Sequence, residues 1–242
     1  YMPLATVQLE SMNYMGFAHE YHHEKDGIGL TALEDFLLSL CFCPACTAQG
    51  QGAGIPMGAL RGRVRERISR YLTLPRAEVP AQAFLEKGPA FFEEDPELQA
   101  YLALRARSVT RLVERVGNEV RRGELCFLSL LPNESAWLFG VDLCAISRCC
   151  KSALICSYDS SAAKARGDVA ASREALDPRC RIYTGLRAFT PEYPGQDAFL
   201  EKVRAARDAG SDGFVFYNYG LIPAGRMAWI ARACAQAKGR EA

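Results

Sequence analysis

Residues 5–46 have the sequence ATVQLESMNYMGFAHEYHHEKDGIGLTALEDFLLSLCFCPAC, in which a strand, a loop and a helix follow one another. The short apolar run at 5–9 predicts a buried strand, and Glu10 stands where that strand should end. A loop rich in histidine and aromatic residues follows, and an amphipathic helix is predicted over about 31–40. In parallel α/β folds, polar residues just past the carboxyl end of a strand face the ligand cleft. The candidate active site is therefore placed around Glu10.

The second half of the chain alternates strands with helices. Apolar runs predict strands at 125–131, 153–158, 181–186 and 213–217, each followed by a predicted helix. With the opening strand this makes five βα units, which favours a parallel sheet with right-handed crossovers. Polar or aromatic residues follow every predicted strand, and this recurrence favours a (β/α)₈ TIM barrel, whose site is assembled from many strand ends. The alternative is an open five-stranded sheet.

Five units are three fewer than a (β/α)₈ barrel needs. We therefore expect a single partial TIM-barrel domain over residues 1–242, truncated at its N-terminus and containing the fourth to eighth barrel strands. The region at about 47–94 is expected to be an irregular or helical excursion from this domain, because its last twenty residues contain three prolines and show no clear period.

Composition excludes several classes of partner. The formal net charge is +1, which gives no support for nucleic-acid binding or a basic membrane patch. No run of about 18 apolar residues predicts a transmembrane helix, and no G-x-G-x-x-G or P-loop motif predicts nucleotide binding. Ten cysteines, mostly among apolar neighbours, favour buried thiols in a reducing, cytoplasmic setting. A disulfide framework is the alternative.

Three segments carry a family resemblance. The strand ending in Glu10, the following loop and the C-x-C-x-x-C sequence at 41–46 resemble β-galactosidases that carry a cysteine zinc cluster. They also resemble a broader set of uncharacterised glycoside-hydrolase-like (β/α)₈ barrel proteins. The segment DGFVFYNYG at 212–220 is similar to the last barrel strand of those proteins. The resemblance is close at 9–14, 40–46 and 212–220 and extends elsewhere only to the order of elements.

The resemblance implies a catalytic role for Glu10. In this family class the acid/base glutamate ends the fourth barrel strand, which corresponds to Glu10, and it donates a proton to the glycosidic oxygen. The family nucleophile ends the seventh strand, but the corresponding segment TGLR at 184–187 has no carboxylate. The candidate partner carboxylates are Glu192, several residues later, and Asp159; absence of a partner is the third possibility. The alternative role for Glu10 is a structural hydrogen bond at the strand end.

Cys41, Cys43 and Cys46 have a spacing that suits tetrahedral zinc. A closed structural site needs a fourth ligand, and the resemblance implies a further cysteine upstream. The alternative is a group of buried thiols without metal. A second metal hypothesis comes from the H-E-x-x-H sequence that begins at His19 and ends at His23, which would make the protein a zinc metallohydrolase. No amphipathic helix surrounds that motif, which favours a polar loop in which His19 or His22 binds a sugar hydroxyl.

The expected partner is a carbohydrate. Aromatic rings near strand ends can stack on the apolar faces of sugars, and arginine and asparagine can bind hydroxyl groups, whereas ordinary burial is the alternative for each aromatic residue. The remaining candidate substrate-binding residues are Asn13, Tyr14, Trp137, Arg187, Tyr217, Asn218 and Tyr219. The sequence thus predicts a glycoside hydrolase-like protein, and the rival hypothesis is a non-catalytic carbohydrate-binding barrel that has lost its nucleophile.

Overall fold

The computed structural model describes residues 5–15, 29–120, 123–129, 133–158, 161–189 and 193–237. The chain divides into two compact units, each with its own hydrophobic core. The sheet unit comprises Tyr1–Met12, Val113–Asn133 and Leu143–Ala242, and the helical unit comprises Asn13–Leu112 and Glu134–Asp142.

The sheet unit is built on one five-stranded sheet. Its strands are β1 (Thr6–Leu9), β2 (Glu124–Ser129), β3 (Ser152–Cys156), β4 (Arg181–Arg187) and β5 (Gly213–Tyr217). Their spatial order is β1-β2-β3-β4-β5, the order of the sequence, and all four pairings are parallel. The predicted α/β class and the predicted parallel order are therefore confirmed, as a half-barrel sheet.

Nine α-helices lie within the described residues: α1 (Ala32–Leu38), α2 (Pro44–Gly52), α3 (Met57–Thr73), α4 (Ala81–Lys87), α5 (Pro96–Glu119), α6 (Leu143–Cys149), α7 (Ala162–Ala175), α8 (Gln196–Asp208) and α9 (Met227–Ala237). Short 3₁₀ turns occur at Arg76–Glu78, Gly88–Phe92, Asn133–Phe139, Tyr219–Leu221 and Ala224–Arg226. Among these helices, none combines the length and the apolar character that crossing a membrane requires.

The two faces of the sheet have different surroundings, because successive residues of a strand point to opposite sides. Helices α7 and α8 pack on the face that carries Leu186 and Phe214. We call the opposite side the inner face; it carries an apolar group made of Cys126, Leu128, Leu154, Cys156 and Tyr183. Tyr183 and Arg187 are four residues apart in β4, so Arg187 lies on the inner face, and so does Tyr217, its register partner.

The helical unit is held together by amphipathic helices, whose apolar residues recur at helical spacing. Leu60 and Val64 of α3 and Leu98 and Tyr101 of α5 are all buried in one core. Asp95 caps α5, as its position before Pro96 predicts: its carboxylate accepts a hydrogen bond from the Leu98 backbone at 3.1 Å. Ion pairs from α3 stabilise the same carboxylate, at 2.9 Å from Arg63 and 2.9 Å from Arg67.

Helices form in two stretches whose composition alone favours loops. The Gly- and Gln-rich composition of residues 49–56 favours a loop, but α2 continues to Gly52. The proline-rich residues at 74–94 contain α4, and its Phe84 is fully buried in the core of the helical unit. Burial of a single aromatic side chain can hold a helix of about two turns that intrinsic propensity alone would not stabilise.

The capping box at the start of α1 provides a test of local stability. The Thr31 hydroxyl accepts a hydrogen bond from the Glu34 backbone at 3.4 Å, and the Glu34 carboxylate accepts one from the Thr31 backbone at 2.7 Å. Thr31→Ala should lower the free energy of unfolding by about 1 kcal/mol, because one helix donor loses its partner. Urea denaturation measures this change. Thr73→Ala, at the exposed end of α3, is the matched control and should change it by less; equal effects would contradict the capping role.

Candidate functional site

Three inner-face residues meet where β3, β4 and β5 end. The ring of Tyr158, two residues past β3, stacks on that of Tyr217, with centroids 5.6 Å apart and planes inclined by 26°. Arg187 donates hydrogen bonds to the Tyr158 carbonyl oxygen from Nε at 3.2 Å and from Nη2 at 2.8 Å. Its guanidinium carbon also lies 5.4 Å from the centroid of the Tyr158 ring. We call these three residues, together with Glu10, the strand-end cluster.

Glu10 lies directly after β1 with an exposed side chain. Its carboxylate interacts electrostatically with the Cys156 thiol and the Tyr158 phenol. The pKa of Tyr158 is raised, chiefly by burial, with further contributions from a hydrogen bond with Cys156 and from the charges of Tyr217 and Glu10. The Tyr158 phenol therefore stays protonated at neutral pH and remains a hydrogen-bond donor.

The strand-end cluster contains a carboxylate, a guanidinium and an aromatic surface, all at the carboxyl ends of the strands. Tyr217 is 46% exposed, so one of the stacked rings is accessible to a ligand. A ring of this kind packs on apolar C–H faces, while the carboxylate accepts and the guanidinium donates hydrogen bonds. These are the groups that a polyhydroxylated ligand needs.

Asn218 and Tyr219 follow β5 but differ in their roles. The Asn218 side-chain oxygen accepts a hydrogen bond from the Leu221 backbone at 3.1 Å and caps the short turn Tyr219–Leu221. That oxygen is therefore engaged in local structure. Tyr219 is 83% exposed, so its ring is available at the surface.

Three other predicted substrate-binding residues belong to the helical unit. The Trp137 ring packs between Phe36 and Phe84, with centroids 5.0 and 5.6 Å away. Ordinary burial thus accounts for Trp137 without a ligand. The Asn13 side chain donates to the Tyr14 carbonyl at 2.8 Å, and the Tyr14 backbone donates to the Phe139 carbonyl at 2.9 Å.

Four of the predicted site residues lie outside the described residues: His19, His22, Asp159 and Glu192. The same is true of the whole H-E-x-x-H segment at 19–23. The two candidate partner carboxylates and the histidine loop therefore stay predictions from the sequence.

The three predicted metal ligands do come together. The sulfur atoms of Cys41, Cys43 and Cys46 all lie within 4.8 Å of one another, and all three thiols are free. Cys43 is the N-cap of α2, and its sulfur accepts a hydrogen bond from the Cys46 backbone at 3.5 Å. The Tyr101 hydroxyl donates to the Cys41 carbonyl, which fixes the start of the cluster against α5.

The thiols of this cluster differ in acidity because they differ in exposure and hydrogen bonding. The pKa of Cys43 is lowered to about 7 by the hydrogen bond from the Cys46 backbone and by the neighbouring thiols of Cys41 and Cys46. Burial, reinforced by those same neighbours, raises the pKa of Cys46 to about 12. The exposed thiol at the helix start is thus the one that ionises first.

Arg105, which the sequence analysis did not single out, is a functional candidate beside these thiols. It is 0% exposed, and its three guanidinium nitrogens have no hydrogen-bond partner among the described residues. The guanidinium carbon lies 4.6 Å from the centroid of the Tyr14 ring. The guanidinium group also interacts electrostatically with Cys41 and Cys46. Burial lowers the pKa of Arg105, but a guanidinium remains charged in proteins. A buried cation without hydrogen bonds is costly and favours a nearby negative charge.

A sequence signal for Arg105 did exist. Leu98, Leu102 and Val109 define the apolar stripe of α5, and Arg105 falls within that stripe at helical spacing. A charged residue at a core position of an amphipathic helix requires a partner or a function.

A separate cavity of about 480 Å³ lies in the sheet unit, beside the starts of β2 and β3. Its lining includes Glu114, Glu124, Cys149 and Lys151. In parallel α/β folds the ligand cleft lies at the carboxyl ends of the strands, where the strand-end cluster is, whereas this cavity lies at the opposite ends.

Comparison of the chain with models of protein families, with curated proteins and with solved structures yields no match.

Proposed function

We propose that Cys41, Cys43 and Cys46 bind a zinc ion that stabilises the helical unit. The observation that carries this proposal is the mutual approach of the three sulfur atoms to within 4.8 Å. Zn–S bonds of about 2.3 Å in a tetrahedral site place sulfur atoms about 3.8 Å apart. Small side-chain rotations are enough to reach that geometry.

The surroundings fit the charge of such a centre. Three thiolates and one Zn²⁺ leave a net charge of −1, and the Arg105 guanidinium, which has no hydrogen-bond partner among the described residues, supplies the opposite charge. Soft sulfur ligands select zinc over magnesium or calcium. When bound, zinc would supply a cross-link between the segment before α2 and the first turn of that helix. Among the described residues, no histidine, aspartate, glutamate or further cysteine completes the set, so the fourth ligand is water or a group outside them.

Zinc titration of the reduced, metal-stripped protein against a chromophoric chelator tests this proposal. The wild type and the matched control Cys234→Ser, which removes an exposed thiol elsewhere, should each bind one ion per chain. Cys46→Ser should lose that tight site, because only two thiolates remain. X-ray absorption should show sulfur neighbours at about 2.3 Å. Zinc retained by Cys46→Ser with nitrogen neighbours would instead support the metallohydrolase at His19–His23.

We further propose that the sheet is part of a (β/α)₈ barrel. The support is the strand order, which follows the sequence from β1 to β5. Right-handed crossovers between strands in that order all lie on one face of the sheet. A barrel requires this arrangement, because its helices form a ring outside the strands. A doubly wound sheet, in contrast, reverses its strand order and places helices on both faces.

A second candidate function is carbohydrate binding at the strand-end cluster. The specific observation in its favour is the stacked pair Tyr158–Tyr217, in which the Tyr217 ring is accessible. The pair lies next to Arg187, at the carboxyl ends of the strands, where Glu10 also lies. In the catalytic form Glu10 donates the proton to the glycosidic oxygen; in the non-catalytic form the cluster only binds the sugar. Assays on a broad panel of glycosides, together with binding measurements on the free sugars, distinguish the two. Binding without turnover would favour the non-catalytic form.

A further inference from the structure

The cysteine cluster contains a second pattern, Cys43-Pro44-Ala45-Cys46, at the start of α2. Cys43 is exposed at the N-cap, and Cys46 is half-buried in the first turn. The backbone N–H of Cys46 points at the Cys43 sulfur, at 3.5 Å. A C-x-x-C pair with its first thiol exposed at a helix start is the arrangement used for thiol–disulfide exchange, because the exposed sulfur can attack and the second can resolve.

The buried guanidinium of Arg105 is an independent sign that negative charge belongs at this place. Its nitrogens have no hydrogen-bond partner among the residues that the structure describes, and it interacts electrostatically with Tyr101 and Tyr14 and, after them, with Cys46 and Cys41. A fixed cation near the sulfurs of Cys41 and Cys46 stabilises a thiolate at either of them, and Cys46 is the second thiol of the pair. The same charge favours a thiolate–metal centre, so the two functions share one environment.

The geometry also permits a disulfide within the cluster. The sulfurs of Cys43 and Cys46 lie within 4.8 Å of each other. Side-chain rotation, with the backbone path kept, can bring them to the S–S bond length of about 2.05 Å. Cys41 is the third thiol of the cluster but precedes the helix, so Cys46, in the first turn beyond the attacking sulfur, is the resolving residue.

We propose that the metal-free chain is a redox-active dithiol at Cys43 and Cys46 that reduces low-molecular-weight disulfides. The Cys43 thiolate attacks one sulfur of a disulfide R–S–S–R, forming a Cys43–S–S–R mixed disulfide and releasing one thiolate. The released thiolate takes the proton of the Cys46 thiol, and the Cys46 sulfur then attacks the Cys43 sulfur and releases the second thiolate, which is protonated from solvent. The protein loses two electrons and two protons and gains one disulfide, while the substrate becomes two thiols. This activity uses the sulfurs of the proposed zinc centre but does not require zinc to bind.

Oxidised glutathione is the probe that tests this activity. The reduced, metal-stripped full chain is incubated with oxidised glutathione, remaining thiols are alkylated, and bonds are mapped by mass spectrometry. The wild type should form a Cys43–Cys46 disulfide and release two equivalents of reduced glutathione. Cys46→Ser should instead retain glutathione on Cys43, and Cys43→Ser should lose both products. The matched control Cys234→Ser, which removes an exposed thiol outside the cluster, should behave as the wild type.

The outcomes separate this inference from the zinc proposal. A wild type that forms no Cys43–Cys46 disulfide overturns the inference, whether or not zinc binds. Glutathione retained equally on Cys46 in Cys43→Ser also overturns it, because the assigned order of attack would be wrong. Formation of the disulfide supports it, and if the same reduced protein binds no zinc, the zinc proposal alone fails. Pre-loading with zinc should slow the exchange where both hold.

Discussion

Replacing Glu10 with glutamine is expected to lower the hydrolysis of a glycoside with a poor leaving group by about 10²–10⁴-fold, if the strand-end cluster is catalytic. Glutamine keeps the length and hydrogen-bonding capacity of the side chain but cannot donate a proton to the departing oxygen. Glu10 is exposed at the end of β1, so removing its charge leaves no buried group without a partner, and stability should change little. The measurement is kcat/KM on an alkyl glycoside, with the melting temperature as a check on folding.

A matched substrate with an activated aryl leaving group gives this experiment its resolving power. Such a group departs without protonation, so Glu10→Gln should slow its cleavage far less than that of the alkyl glycoside. Equal loss on both substrates would assign Glu10 a positioning role. Turnover by neither protein on a broad panel would contradict the catalytic form and leave sugar binding by Tyr217 and Arg187 as the function to test.

The strands and their order could be predicted because the signal is carried by local apolar runs. Each of β2 to β5 coincides with such a run, and the helices between them force parallel pairing. The helical unit was harder to predict, because its sequence signals conflict. Gly50 weakens helix propensity in α2, yet it is buried there, and a Cβ atom at that position would collide with the Met57 sulfur. The residue that suggested a loop is a requirement of packing.

The candidate sites could be predicted only where the residues in contact are close together in the sequence. Cys41, Cys43 and Cys46 come together because one turn of chain separates them. The stacking of Tyr158 on Tyr217 depends instead on the register of strands far apart in sequence, so the aromatic pair could not be foreseen. Trp137 illustrates the reverse: its position after a strand suggested a ligand, but contacts with distant Phe36 and Phe84 place it in a core.

Arg105→Met is expected to have opposite effects on the metal-free and the zinc-loaded protein. In the metal-free protein the guanidinium is fully buried without hydrogen bonds among the described residues, so an apolar side chain of similar length should raise the free energy of unfolding by about 1–3 kcal/mol. In the zinc-loaded protein the same change removes the positive charge beside a centre of net charge −1. Zinc affinity should therefore fall by about 10–100-fold, the usual cost of losing an outer contact of a metal site.

Urea denaturation of the chelator-treated protein and competitive zinc titration measure the two effects separately. Arg107→Met, on an exposed position of the same helix, is the matched control and should leave both quantities nearly unchanged. A metal-free Arg105→Met variant that loses about 3–5 kcal/mol would mean that the guanidinium is paired with a carboxylate from outside the described residues. Unchanged zinc affinity would mean that Arg105 does not balance the charge of the thiolates. The predicted pattern is a more stable metal-free protein that binds zinc less tightly. It arises only if the role of the buried Arg105 charge is to stabilise the zinc–thiolate centre.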